Sequence, residues 1–193
     1  MRQTARHLPL PLRAEALTAA WFTAALSPAY PGTVVESAQV VDVLTGTSTK
    51  IRVALQCNAA GRDHGLPPTV IVKGGFEPHS VHLGFMYAAE MRFYRDLLPR
   101  MPMNAPRCWF AASDPESHQS VVVMEDLAPR GVRFCRVQQA HSYSEAEAFL
   151  EAMARWHAAW WDHPALAADG ELGWVGQTFD EFGWMYANRY LQP

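Results

Sequence analysis

The sequence has 193 residues, 49% of them apolar and 18% charged, with a formal net charge of −3. That length supports a buried core, the composition is globular rather than disordered, and the charge lacks the basic excess of a nucleic-acid binder, so no nucleic-acid partner is expected. Cys57, Cys108 and Cys135 fit neither a disulfide framework nor a CxxC metal pattern, no apolar run nears the roughly 20 residues of a membrane span, and residues 1–12 lack a signal-peptide pattern, so a cytoplasmic chain without a membrane partner is expected.

In chain order, residues 13–26 place Ala16, Leu17, Ala20, Trp21, Ala24 and Ala25 on one face and predict an amphipathic helix, stopped by Ser27-Pro28 and Pro31-Gly32. Residues 33–44 are rich in Val and predict a strand. A small hydroxylated turn follows at 45–49. Ile51, Val53, Leu55 and Cys57 then alternate with Arg52, Ala54 and Gln56, the period of a half-exposed strand. A polar loop over 58–68 leads to a strand ending at Lys73, and a loop over 74–85 precedes a helix over 87–98 that Pro99 ends. Short strands are predicted at 107–111 and 120–124, joined by a turn at 114–117. Residues 128–141 show no clear period. A capping box at Ser144 and Glu147 predicts the start of a helix running through Trp161, and residues 178–191 predict a last helix. Strands early and helices late suggest a β-rich lobe over 1–127 and a helical lobe over 128–193.

The chemistry centres on Thr69-Val70-Ile71-Val72-Lys73-Gly74-Gly75. The chain has only two lysines, Lys50 and Lys73, and one of them ends an unbroken Val-Ile-Val run. A buried ammonium needs an anion. Two candidates follow: a carboxylate fixed along the chain, or a phosphate from outside. Glu90 lies on the next helix, and a lysine held by a carboxylate can present its ammonium to phosphate oxygens. Taken alone, such a pair reads first as a structural ion pair. Val121-Val122-Val123-Met124-Glu125-Asp126-Leu127 adds an apolar strand that turns sharply into two acids at the lobe boundary. In a two-lobed kinase this would be the hinge, whose backbone groups pair with the adenine edge, and Met124 would sit behind the purine. As side chains, Glu125 and Asp126 read also as turn or helix-start acids.

Several segments together carry a resemblance: Leu44-Thr45-Gly46-Thr47-Ser48-Thr49, Val70-Ile71-Val72-Lys73, Glu90-Met91-Arg92-Phe93-Tyr94-Arg95, Pro106-Arg107-Cys108, Val123-Met124-Glu125-Asp126-Leu127 and Met153-Ala154-Arg155-Trp156-His157-Ala158. In their order and spacing the chain resembles the N-terminal part of the aminoglycoside phosphotransferase and choline kinase-like enzymes, most of all their ecdysteroid-kinase-like branch. The resemblance implies an α+β, protein-kinase-like fold, with a β-rich N-lobe and the start of an α-helical C-lobe. It implies ATP-dependent phosphorylation of a small-molecule hydroxyl with Mg2+. By the same resemblance Lys73 would contact the α- and β-phosphates and Glu90 would orient it. Gly46, Thr47 and Ser48 would cover the phosphates, and the backbone of Glu125 and Leu127 would hold adenine beside Met124. The turn lacks the GxGxxG of protein kinases, which disfavours protein-kinase activity.

The departure from the family lies in the catalytic loop. The sequence contains no His-Gly-Asp and no His-x-Asp followed by Asn, so no catalytic residue is expected in this chain. Phe179-Asp180-Glu181-Phe182-Gly183 has one residue too many for a metal-binding DFG turn and precedes any catalytic loop. The chain therefore reads as a kinase truncated before its chemistry. The alternative is a non-catalytic nucleotide-binding or interaction module, a pseudokinase-like fragment. Truncation would leave faces of Phe149, Trp156, Trp160, Trp174 and Trp184 exposed, and self-association is expected of such a chain. His79 and His82 lack a third ligand, and no metal site is expected. His157 reads as a packed structural histidine. Trp156, Trp160 and Trp161 read as packing residues before they read as a cage for a cation. Ser113 and Ser120 have no His and Asp to make them nucleophiles.

Overall fold

The computed structural model describes residues 8–135 and 138–177. The described residues within Met1–Tyr94 and Pro106–Pro129 form one compact unit, and those within Arg95–Ala105 and Arg130–Pro193 form a second. The helix expected at 178–191 lies outside the described residues, as do Phe179-Asp180-Glu181-Phe182-Gly183 and Trp184.

Five strands build the first unit: β1 (Val35–Leu44), β2 (Thr49–Cys57), β3 (Thr69–Gly74), β4 (Cys108–Asp114) and β5 (Gln119–Glu125). All neighbours are antiparallel, in the order β1-β2-β3-β5-β4. The period-two pattern of each strand fixes which residues share a face. Ile51, Val53, Val70, Val72, Val121 and Val123 line one face, and none is more than 1% exposed. Each such burial is worth about 1.5–3 kcal/mol. Helix α1 (Ala19–Leu26) covers this face with Trp21, Phe22, Ala25 and Leu26. The opposite face holds a smaller cluster of Ile71, Cys108, Ala111, Val122 and Met124 with Met91 and Tyr94.

Local chemistry moved several boundaries from where periodicity put them. The helix expected over 13–26 begins only at Ala19, because the Thr18 side chain accepts the Trp21 amide and caps it; residues before it form a single 3-10 turn, Ala14–Ala16. The loop expected over 58–68 contains a short helix, α2 (Ala59–Asp63), capped by Asn58 through the Gly61 amide. The loop over 74–85 contains a 3-10 stretch, Pro78–Leu83, with a capping box between Glu77 and Ser80. The next helix, α3, runs Gly84–Arg92 and then widens into a π segment, Phe93–Leu97. Pro99, with no N–H to donate, sits in the 3-10 turn that ends it.

In the second unit, α4 (Tyr143–Trp160) is capped by Ser142 and Glu145 rather than by Ser144 and Glu147. The S-x-x-E pattern occurs twice, offset by two residues, and the earlier copy adds more of the chain to the helix. Arg133 pairs with Glu145, and Arg100 with Glu171. None of the 18 residues of α4 is buried, with Phe149 50% and Leu150 65% exposed. Trp156, Trp160 and Trp174 are half-buried, and His157, expected to be packed, is exposed. A last short helix, α5, spans Trp174–Gln177. Among the described residues no helix is long and apolar enough to cross a membrane.

Candidate functional site

Lys73 sits near the end of β3, where alternation turns it away from the aliphatic core that Val70 and Val72 enter. Its Nζ lies 2.5 Å from Glu90 Oε1, with the two side chains 21% and 29% exposed. The pair expected from sequence is formed. Helix α3 delivers the carboxylate from a stripe, Tyr87, Glu90 and Met91, spaced at three and four residues and continued by Tyr94 in the π segment. Met91 packs on Val122 and Met124, and the Tyr94 hydroxyl lies 3.7 Å from the Met124 sulfur. Burial, and then the neighbouring Glu90 charge, push the Tyr94 phenol up to about 12. Burial likewise pushes the Cys108 thiol up to about 11.

The β1–β2 turn holding Gly46, Thr47 and Ser48 is tied to the segment around α3. Buried Tyr87 donates its hydroxyl to the Thr47 carbonyl and also meets Ser80 Oγ at 3.2 Å. The His79 ring donates from Nε2 to the Gly46 carbonyl at 3.2 Å, and Thr49 donates its hydroxyl to Glu77 at 3.3 Å. Because a trans peptide points its N–H opposite to its C=O, these two carbonyl bonds turn the amides of Thr47 and Ser48 away from Tyr87 and His79. The two glycines after Lys73 make room for this arrangement. A Cβ on Gly75 would lie 2.7 Å from the Tyr87 ring, and one on Gly74 would lie 2.7 Å from the Ser120 carbonyl.

At the far end of β5, Met124 is buried on the Lys73 side of the sheet. The Glu125 amide donates to the Arg107 carbonyl at 2.8 Å, and the Arg107 amide returns a bond to the Glu125 carboxylate at 3.2 Å. Asp126 is 6% exposed; it accepts from Arg52 Nε at 2.9 Å and from the Ala128 amide at 3.1 Å. Of the readings the sequence left open for Asp126, the turn acid is the one formed, with β2 supplying the counter-charge. Leu127 follows, half-buried.

The remaining candidates have other occupations. Ser113 and Ser120 hydrogen-bond each other at 2.9 Å across β4 and β5. His79 holds the turn, His82 is exposed, and His157 stacks edge-on to Trp156. Among the described residues no group of three or more His, Cys, Asp or Glu side chains is placed to hold a metal. A cavity of about 270 Å³ beside Gly75, Glu77 and His118 includes none of the candidate nucleotide residues. Sequence reasoning missed Tyr87, His79 and Arg52. Only Tyr87 left a signal, its three-residue spacing from Glu90.

A five-stranded antiparallel sheet whose strand-end lysine is paired to the helix behind it is the N-lobe of a kinase-like fold, here followed in sequence by the start of a helical lobe. The ecdysteroid kinase-like family model matches residues 47–161, more than half of the chain, and the protein belongs to that family, a branch of the aminoglycoside phosphotransferase and choline kinase-like enzymes. The family makes its function phosphotransferase-like. Comparisons with curated proteins and with solved structures return no match.

Proposed function

We propose that this chain is the nucleotide-binding part of an ATP-dependent kinase acting on a small-molecule hydroxyl, working in the cytoplasm. Residues 1–127 form its nucleotide-binding lobe and residues 128–193 the start of a helical lobe. The observation that carries this reading is the Lys73–Glu90 pair at the end of an apolar strand. Lys73 binds the α- and β-phosphates, and Glu90 holds its ammonium in position. Gly46, Thr47 and Ser48 cover the phosphates, with the Thr47 and Ser48 amides turned away from the groups that bind the turn's carbonyls. Since the Glu125 amide is engaged by Arg107, adenine pairs with the Glu125 carbonyl and the Leu127 amide, and Met124 packs behind it. Mg2+ would neutralise phosphate charge. Among the described residues no group of three or more His, Cys, Asp or Glu side chains is placed to hold it.

A second reading, a non-catalytic nucleotide-binding or interaction module, draws on the sequence given, which contains no His-Gly-Asp. The first reading and the nucleotide-binding form of the second share nucleotide binding, so titration calorimetry with ATP tests that common part; an interaction module would bind none. Lys73→Met should weaken ATP about tenfold to a hundredfold, the range of one or two charged hydrogen bonds, while the thermal midpoint stays within a few degrees. Glu90→Gln should weaken it less, since Glu90 only orients the lysine. Unfolding of Lys73→Met with unchanged affinity per folded molecule would make the lysine structural and sink the reading. Phosphate transfer to an alcohol by the chain would remove the second reading.

A further inference from the structure

The chain's only two lysines face each other. The β2–β3 register sets Lys50 directly opposite Lys73. Residues so opposed project from the same face with Cβ atoms about 5 Å apart, where like charges destabilise a sheet. The other cations of this face are compensated. Lys73 has Glu90, and Arg52, the next residue of β2 on that side, has Asp126 with Asp42 at 3.9 Å. Lys50 is exposed and forms no ion pair among the described residues. Its neighbour across the hairpin is Leu44, which offers no charge. Lys50 also follows the turn closely, separated from Ser48 only by Thr49, which is 1% exposed and bonded to Glu77. Thr49 thus anchors the backbone from which Lys50 projects. Two lysines opposed in register on one face, one with its own carboxylate and one with none among the described residues, suit a ligand carrying more negative charge than Lys73 alone can meet.

We propose that Lys50 is a second phosphate-binding residue, which bridges to the polyphosphate chain beside Lys73 and makes the site select nucleoside di- and triphosphates over monophosphates and nucleosides. This rests on the nucleotide reading above and adds to it the residue that sets preference by phosphate number. The test is calorimetry on the full chain with adenosine, AMP, ADP and ATP, comparing Lys50→Gln and Lys50→Arg with the unsubstituted protein. Lys50→Gln should weaken ADP and ATP about tenfold, the effect of one charged hydrogen bond, and leave adenosine unchanged. Lys50→Arg should keep most of the affinity. Without nucleotide, Lys50→Gln should melt no lower than the unsubstituted protein, because it removes a repulsion. ATP binding equal in Lys50→Gln and the unsubstituted protein overturns the proposal and leaves the nucleotide reading standing. An equal loss for adenosine and ATP, or a Lys50→Gln chain that fails to fold, assigns the residue to the hairpin's structure and overturns it as well. An unsubstituted protein that binds none of the four overturns both.

Discussion

The two faces of the one sheet are made by alternate residues of the same strands, and they differ in kind. On the α1 side, Ile51, Val53, Val70, Val72, Val121 and Val123 have almost no exposure and no polar partner to satisfy. On the other side, Arg52 and Lys73 stand among Ile71, Val122 and Met124, half-exposed and held by ion pairs, while Lys50 beside them is exposed and has no ion pair among the described residues. A period of two thus separates stability from chemistry within six or seven residues of chain. Substitutions on the first face should change the folding free energy, and those on the second should change what the folded protein binds.

That contrast can be broken most forcefully at Phe22, which is 0% exposed beneath the aliphatic face. Phe22→Ala should cost about 3–5 kcal/mol of stability, read as a shift in the urea midpoint; a loss comparable to that of a surface substitution would mean α1 is not the support of this face. Lys73→Met is its mirror, with a large change in ATP affinity and a small one in stability. Tyr87→Phe should fall between them. It removes a hydroxyl bonded to the Thr47 carbonyl and to Ser80, worth about 1 kcal/mol, and the amides of the β1–β2 turn should exchange with deuterium faster while those of β5 do not. Equal acceleration in both would show a general loosening instead.

The smallest effect lies in alkali. Cys108 sits on the charged face, and burial raises its thiol from an ordinary 9.0 to about 11. A raised value means the folded state holds the proton more tightly, so this contribution to stability is complete below about pH 9 and is lost as pH rises through about 11. Tyr94, raised from 10.0 to about 12, acts in the same direction slightly higher. Stability should therefore decline from pH 9 upward, and Cys108→Ala should flatten the first part of that decline. Iodoacetamide at pH 8 should modify exposed Cys135 well before Cys108 or the buried Cys57. Early modification of Cys57 would contradict the closed core on the α1 side.

What the sequence disclosed followed the range of the forces involved. The strand ending at Lys73 was legible because a Val-Ile-Val run and one lysine are adjacent in the chain, and Glu90 because a helix follows directly. The two faces of β2 were legible from the alternation of Ile51, Val53, Leu55 and Cys57 with Arg52, Ala54 and Gln56. The opposition of Lys50 and Lys73 was not, since register depends on how turn and hairpin settle, and a slip of one residue reverses every side chain. The insertion of β5 between β3 and β4 was equally hidden, as it joins strands distant in sequence. Asp126 was legible as a turn or helix-start acid, but its counter-charge, Arg52 on another strand, was not. The α4 cap was misplaced because two copies of one signal overlap and only the chain before them decides.

Tyr87 and Glu90 grip different objects, the turn and the lysine, from positions one helical turn apart. Their agreement is a matter of phase. A helix advances about 100° per residue, so inserting or deleting a single residue between them would swing one grip off the sheet while the other stayed. The spacing of three is therefore closed to length change in a way the adjoining loops are not. Within this short stretch the helix behaves as a two-toothed key, cut for a lock with both wards in fixed places.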